Sequence, residues 1–258
     1  MNTKTLSNRA LNVLDQYSHF SIGQAVCSVP YFNNKTVRAR AALRATIGKG
    51  SPRDILEEVQ MKIAKEHVAT ETLTNESLKN LLVDNDIGID CSAFAYYILS
   101  AESEERGKGA LDRHISFVNC GGFIGKIRCK IRPVENCDVA TFASDKNSKI
   151  IPMKEVQPGD MITMTGSNEG SLRDHILVIH QIEYQNFVPT KVHYSHAVAY
   201  PEDGVYGSGI KQGTIEIISP DRSILEGIWT ESGSTAAAAR IFVRAKTSKT
   251  ELRRMLSL

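Results

Sequence analysis

The sequence has no hydrophobic run approaching the roughly 20 apolar residues that a membrane-crossing helix requires. Its opening stretch, MNTKTLSNRALNVLDQYSHF, lacks the apolar centre of a secretory signal and reads as a polar helix. An excess of one charge is lacking too. The 31 basic and 29 acidic residues leave a formal net charge of +2, which gives no argument for a nucleic-acid partner. The five cysteines, at positions 27, 91, 120, 129 and 137, form no paired framework, and their odd count argues against an obligatory disulfide set. These absences give the expectation of a reduced, cytoplasmic protein without a membrane span.

Metal and phosphate motifs are equally thin. Cys120, Cys129 and Cys137 follow His114, but structural zinc ligands usually pair at gaps of about two to four residues. The gaps between these cysteines are eight and seven residues, so no metal is expected. The GKGS stretch at 48–51 lacks both the preceding strand and the glycine spacing of a phosphate loop. No repeat or low-complexity tract interrupts the chain, apart from four alanines at 236–239.

What is present fits a soluble globular chain of 258 residues, with 41% hydrophobic and 23% charged residues. That length allows one large domain, or a catalytic domain with a helical addition. The first eighty-five residues read as helical, with apolar spacings of three and four predicting helices near 6–14, 36–47, 53–68 and 76–83. Pro52 suits the first turn of the third. After residue 115 the pattern changes to short β-like runs at 124–131 and 139–142. MITM follows the Pro158-Gly159 turn, and DHILVIHQIEY, KVHYSHAVAY, GTIEII and ARIFVRA complete at least five strands. Helices first and strands afterwards indicate an α+β domain with a mainly antiparallel sheet. Residues 247–258 read as a basic tail that could form a short surface helix.

The stretch GIDCSAFAYYIL, residues 88–99, carries the first chemical signal. Asp90 is a good helix N-cap, and Cys91 would open the helix where the positive end of the macrodipole favours a thiolate. The same residues could equally cap a core helix around a buried cysteine. A nucleophilic cysteine needs a base, and the base must be held by a third group. Of the seven histidines, His19, His67 and His114 lie in polar surroundings that imply solvation. His175 opens a strand after the 166–174 loop, sharing a face with Leu177 and Ile179, while His180 points the other way. In KVHYSHAVAY, alternation groups His193 with Ser195 and Tyr194 with His196, so only one of the two histidines can face His175.

The order DCS on a helix, then QPGDMI, DHILVIHQI and YSHA, resembles the NlpC-like branch of the papain-fold cysteine peptidases and amidases, over residues 86–246. ARIFVRA resembles that family's closing arginine-containing strand. The resemblance implies a papain-like α+β fold with residues 1–85 as helices packed on it. It assigns Cys91 as nucleophile, His175 as general base and acid, and His196 as the group orienting His175. Peptide or isopeptide amides would be the substrates, above all bacterial cell-wall peptides, cleaved through a thioacyl intermediate without a cofactor. The backbone N–H of Cys91, helped by Ser92, would meet the oxyanion, and Asp90 would be a cap. The sequence departs from the family pattern at Ala93, where glycine is usual, and in a longer 183–191 loop. LLVDNDIGI lacks the aromatic-glycine segment that normally brings a tyrosine to the thiol. A thiol acyltransferase and a non-catalytic binding module on the same fold stand as alternatives.

Overall fold

The computed structural model describes residues 2–33, 44–166, 174–232 and 235–258, with side chains left aside at 235–239. Among the described residues the chain forms an α+β fold of eight helices and ten strands. It begins with β1 (Asn2–Thr5), α1 (Asn8–Ser18) and the small hairpin β2 (Phe20–Ile22) and β3 (Ala25–Cys27). The helices α2 (Pro52–Glu66), α3 (Asn75–Asp84) and α4 (Cys91–Glu105) follow. Then come α5 (Gly122–Ile131), α6 (Pro133–Asn136), α7 (Val139–Ala143), β4 (Ser148–Ile150) and β5 (Met161–Thr165). The hairpin strands β6 (His175–Gln185) and β7 (Val188–Val198) precede β8 (Gly209–Glu216) and β9 (Ile228–Glu231). The chain closes with α8 (Thr235–Thr247) and β10 (Lys249–Met255).

Helix starts follow from local chemistry. Ser51 and Asp54 form a reciprocal capping box at α2, with Pro52 in the first turn. Thr74 and Ser77 do the same at α3. Most of the helix expected at 36–47 lies outside the described residues, and its end, Arg44–Ile47, is a single 3-10 turn.

The large sheet is antiparallel throughout, in the order β4-β10-β5-β6-β7-β8-β9, and β1 pairs with the far half of β6. Its pleat separates two cores. Ile176, Val178, Met161 and Ala197 face α1 and α4, burying Phe94, Ile98 and Leu99. Leu177, Ile179, Met164 and Tyr194 face Ile241 and Ala245 of α8. Each such aliphatic side chain contributes about 1.5–3 kcal/mol on burial. The described residues before α4 are not a separate layer, since Leu6, Ala10 and Tyr17 share the α4 core and β1 extends the sheet.

Several expected elements differ. Residues 124–131 and 139–142, read as β-like, lie in α5 and α7. ARIFVRA is helical in α8, and the basic end of the chain is the strand β10, inserted between β4 and β5. Arg253 of β10 is fully buried because Glu251, Ser148 and Asp145 satisfy its guanidinium. The loop expected at 183–191 is strand almost throughout: only Asn186 and Phe187 turn, both at positive φ, which suits a two-residue hairpin.

Candidate active site

Asp90 starts α4 by accepting hydrogen bonds from the Ala93 N–H and the Ser92 hydroxyl, both at 2.8 Å. Its other oxygen pairs with the Lys49 ammonium at 2.8 Å. Lys49 also donates to Ser92 Oγ at 2.8 Å and to the Cys137 carbonyl at 3.2 Å. Burial works against the Lys49 charge, but Asp90 outweighs it and the net shift is upward. The Ser92 hydroxyl therefore donates to Asp90 and accepts from Lys49.

The 48–51 segment is what delivers Lys49. Gly48 adopts φ +76°, and a Cβ there would meet the Phe32 carbonyl at 2.1 Å, so only glycine fits. Its carbonyl accepts the Asp90 N–H at 2.9 Å, while Tyr97 and Tyr17 hold the carbonyls of Lys49 and Gly50.

Cys91 is buried in the first turn of α4. Burial and the neighbouring Asp90 carboxylate push its thiol up to about 12, although Lys49, Arg244 and a hydrogen bond from the Ile176 N–H pull the other way. This corrects the direction expected from the helix N-terminus. Desolvation and the cap carboxylate are the two largest causes.

His175 opens β6 and is also buried. The pleat places it with Leu177 on the α8 face, whereas Cys91 reaches the same strand end from the α4 face. No hydrogen bond joins Cys91 to His175 among the described residues; the sulfur rests on the backbone N–H of the next residue, Ile176. His175 Nε2 is 2.7 Å from His196 Nδ1, and His196 Nε2 is 2.6 Å from Glu231 Oε1. Tyr200 donates to Glu231 Oε2 at 2.9 Å. Burial first, then the charges of Arg244 and His196, hold the His175 imidazole well below its ordinary range, so it is neutral.

His193 lies on the opposite face of β7 and pairs with Glu183 at 2.7 Å, beside His180. The two histidines of KVHYSHAVAY are thus separated by the pleat: His196 meets His175 and His193 does not.

An open pocket of about 220 Å³ sits at this end of the sheet, lined by Tyr31, Asn33, Asp174, His175, Val198, Ala199 and Arg244. Residues 167–173 of the preceding loop lie outside the described residues. Tyr31 is joined to Ile89 by a parallel bridge, and after burial the charge of Cys91 is the next cause raising its phenol. A tyrosine therefore stands near the thiol after all, delivered from a distant stretch of chain. The Arg244 side chain makes no hydrogen bond or ion pair among the described residues, yet its charge is felt at Cys91, His175 and Tyr31.

Sequence reasoning missed Glu231, Arg244, Lys49, Tyr31 and Tyr200. Only a correct assignment of β9 and α8 would have brought the first two to the site. It also missed that Cys120 and Cys129 are disulfide-bonded, which corrects the expectation of unpaired cysteines. No cluster able to hold a metal occurs among the described residues, and no helix among them is long and apolar enough to cross a membrane. Compared with known proteins, the chain matches no family model, no curated protein and no solved structure.

Proposed function

We propose that the protein is a cysteine-dependent hydrolase of peptide or isopeptide amides, with cell-wall-type peptides as its substrate class, in the manner of the NlpC-like enzymes its motifs resemble. One observation carries the reading: a buried His175–His196–Glu231 chain ends at the pocket lined by His175 and Arg244, and the thiol that opens α4 meets the N–H of Ile176, the next residue of the same strand.

Proton positions in that chain follow from the partners. Glu231 accepts from Tyr200 and from His196 Nε2–H, an assignment that leaves Nδ1 of His196 as the acceptor facing His175. His175 donates Nε2–H to it and keeps its own lone pair at Nδ1. A neutral base is what a thiol held near 12 requires, because the proton must be removed as the sulfur attacks. The mechanism requires Sγ and His175 to meet around the strand end when substrate is bound, as catalytic contacts commonly tighten with substrate present.

Sγ then bonds to the amide carbon while Nδ1 takes the thiol proton. The backbone N–H of Cys91, in the first turn and without an intrahelical acceptor, faces the developing oxyanion. His175 passes the proton to the leaving amine, the C–N bond breaks and a thioester remains. Water attacks the thioester as His175 takes its proton, and the thiol is restored as the acid leaves. The Arg244 guanidinium, without a described acidic partner, favours substrates with a carboxylate near the scissile amide.

A cytoplasmic location, expected from the opening stretch, is not carried into this reading, because the Cys120–Cys129 pair fits oxidising surroundings. The elevated thiol and the absent Cys91–His175 bond favour a second reading, a binding module whose ligand affinity survives alkylation of Cys91. Release of amine from synthetic cell-wall-type peptides, with and without an added amine acceptor, tests the proposal. Hydrolysis lost in Cys91→Ala supports it, transfer to the acceptor in place of water identifies an acyltransferase, and no turnover of any amide rejects both.

A further inference from the structure

The helix α5 presents its apolar side to solvent. Phe123, Ile124 and Ile131 are 79%, 82% and 69% exposed, and Ile127 joins them. Residues 123, 127 and 131 succeed one another at intervals of four, so with Ile124 they share one arc of the helix. Cys129 falls on the opposite side, is buried, and is tied to Cys120 by the disulfide. The tether fixes the inward side, and the apolar arc has to face out. An amphipathic helix packed on its own core would have the reverse orientation.

Charge frames this arc. Lys126 and Lys130 flank it on one side and Arg128 and Arg132 on the other, all exposed and with side chains making no hydrogen bond or ion pair among the described residues. No acidic residue occurs from 113 to 134. The protein as a whole is nearly neutral, so this concentration of positive charge is local.

We propose that α5 is an interfacial helix that seats the protein on an anionic lipid surface. The apolar arc enters the boundary between headgroups and acyl chains, and the four basic side chains extend their stems upward to the phosphates. The arc stands on a convex helix rather than in a groove, and the surrounding charge is of one sign; a bilayer of anionic lipid is complementary to both. The surface is separate from the Cys91 site, and its test does not depend on catalysis.

Flotation of the full chain with phosphatidylcholine vesicles, and with vesicles in which part of that lipid is phosphatidylglycerol, reads the inference. Binding is expected only with phosphatidylglycerol present, weakening as salt is raised. Phe123→Ser with Ile124→Ser is expected to cost about tenfold or more, and Lys126→Gln with Lys130→Gln about fivefold per charge. Both variants change exposed side chains and retain the fold. A Phe123→Trp variant adds a direct reporter, whose emission should shift to the blue on anionic vesicles while the buried Trp229 contributes a constant background. No binding, equal binding to both vesicles, affinity unchanged in both double variants, or a reporter emission that stays solvent-like on floated protein would each overturn it. In the first case an acidic protein surface becomes the occupant to seek.

Discussion

His175 Nε2 and His196 Nδ1 lie 2.7 Å apart, and this bond ties the tautomer of the pocket histidine to a carboxylate two groups away. While Glu231 accepts from His196, His175 must carry its proton on Nε2 and its lone pair on Nδ1. Glu231→Gln lets an amide N–H donate to His196 instead, which reverses both tautomers and leaves Nδ1–H where the base should be. Turnover is expected to fall roughly 100-fold or more, by the logic that orients any imidazole base. Tyr200→Phe, which removes one hydrogen bond and no acceptor, should cost only a few-fold. Steady-state rates of the two variants check this; equal losses would mean that Glu231 acts through packing.

The pleat gives a second comparison on one strand. His196→Ala removes the partner of His175 and should lower kcat by about 10²–10⁴-fold, leaving residual activity. His193→Ala breaks only a half-buried contact with Glu183, away from His175, and should stay close to wild type in turnover. Side-by-side turnover measurements decide between the two faces.

Alternation along β6 and β7 was legible because residues 175–179 and 193–198 switch faces residue by residue with core on both sides. The same reasoning failed where one run satisfies two periods. Residues 123–131 hold β-branched side chains at spacings that also fit a helix, and nothing in the local pattern marked the Cys120–Cys129 tether. In α8 the β-branched pair Ile241 and Val243 suggested a strand, but the buried positions are Ile241 and Ala245, four apart. The charges of KTELRRM suggested a surface, because a buried Arg253 becomes acceptable only with Ser148 and Glu251 in place. Misreading these last elements hid Glu231 and Arg244, so the meeting of His175 with His196 was readable and their further partners were not.

Two histidines, the buried His175 and the half-buried His180, make the fold sensitive to acid. Burial holds His175 well below its ordinary value and His180 at about 4, while both titrate near 6.5 when unfolded. Below that value the unfolded chain binds protons that the native state refuses, so stability must fall as pH drops. The loss begins near pH 6.5 and proceeds at up to about 1.4 kcal/mol per pH unit for each histidine. For His180 it levels off near pH 4. Urea unfolding midpoints between pH 8 and 4 read the slope, and His180→Gln should reduce it. On the proposed mechanism kcat/KM keeps its neutral-pH value to below the ordinary histidine range, since the base stays unprotonated there.

Arg244 supplies the specificity prediction. With no described acidic partner, its guanidinium is free to meet a substrate carboxylate. Arg244→Gln should raise KM about tenfold or more for an amide bearing a nearby carboxylate and leave the neutral analogue almost unchanged. Parallel losses for both substrates would assign Arg244 to the fold instead.

The central claim is that Cys91 attacks an amide carbon with His175 as its base. Acid-quenched intact mass spectrometry during turnover of a cell-wall-type peptide tests it most directly. The account predicts an acyl adduct that maps to Cys91, is released by hydroxylamine as a thioester, and is absent from both Cys91→Ala and His175→Ala. Continued hydrolysis by Cys91→Ala, or an adduct carried by Cys27 or Cys137 instead, would contradict it.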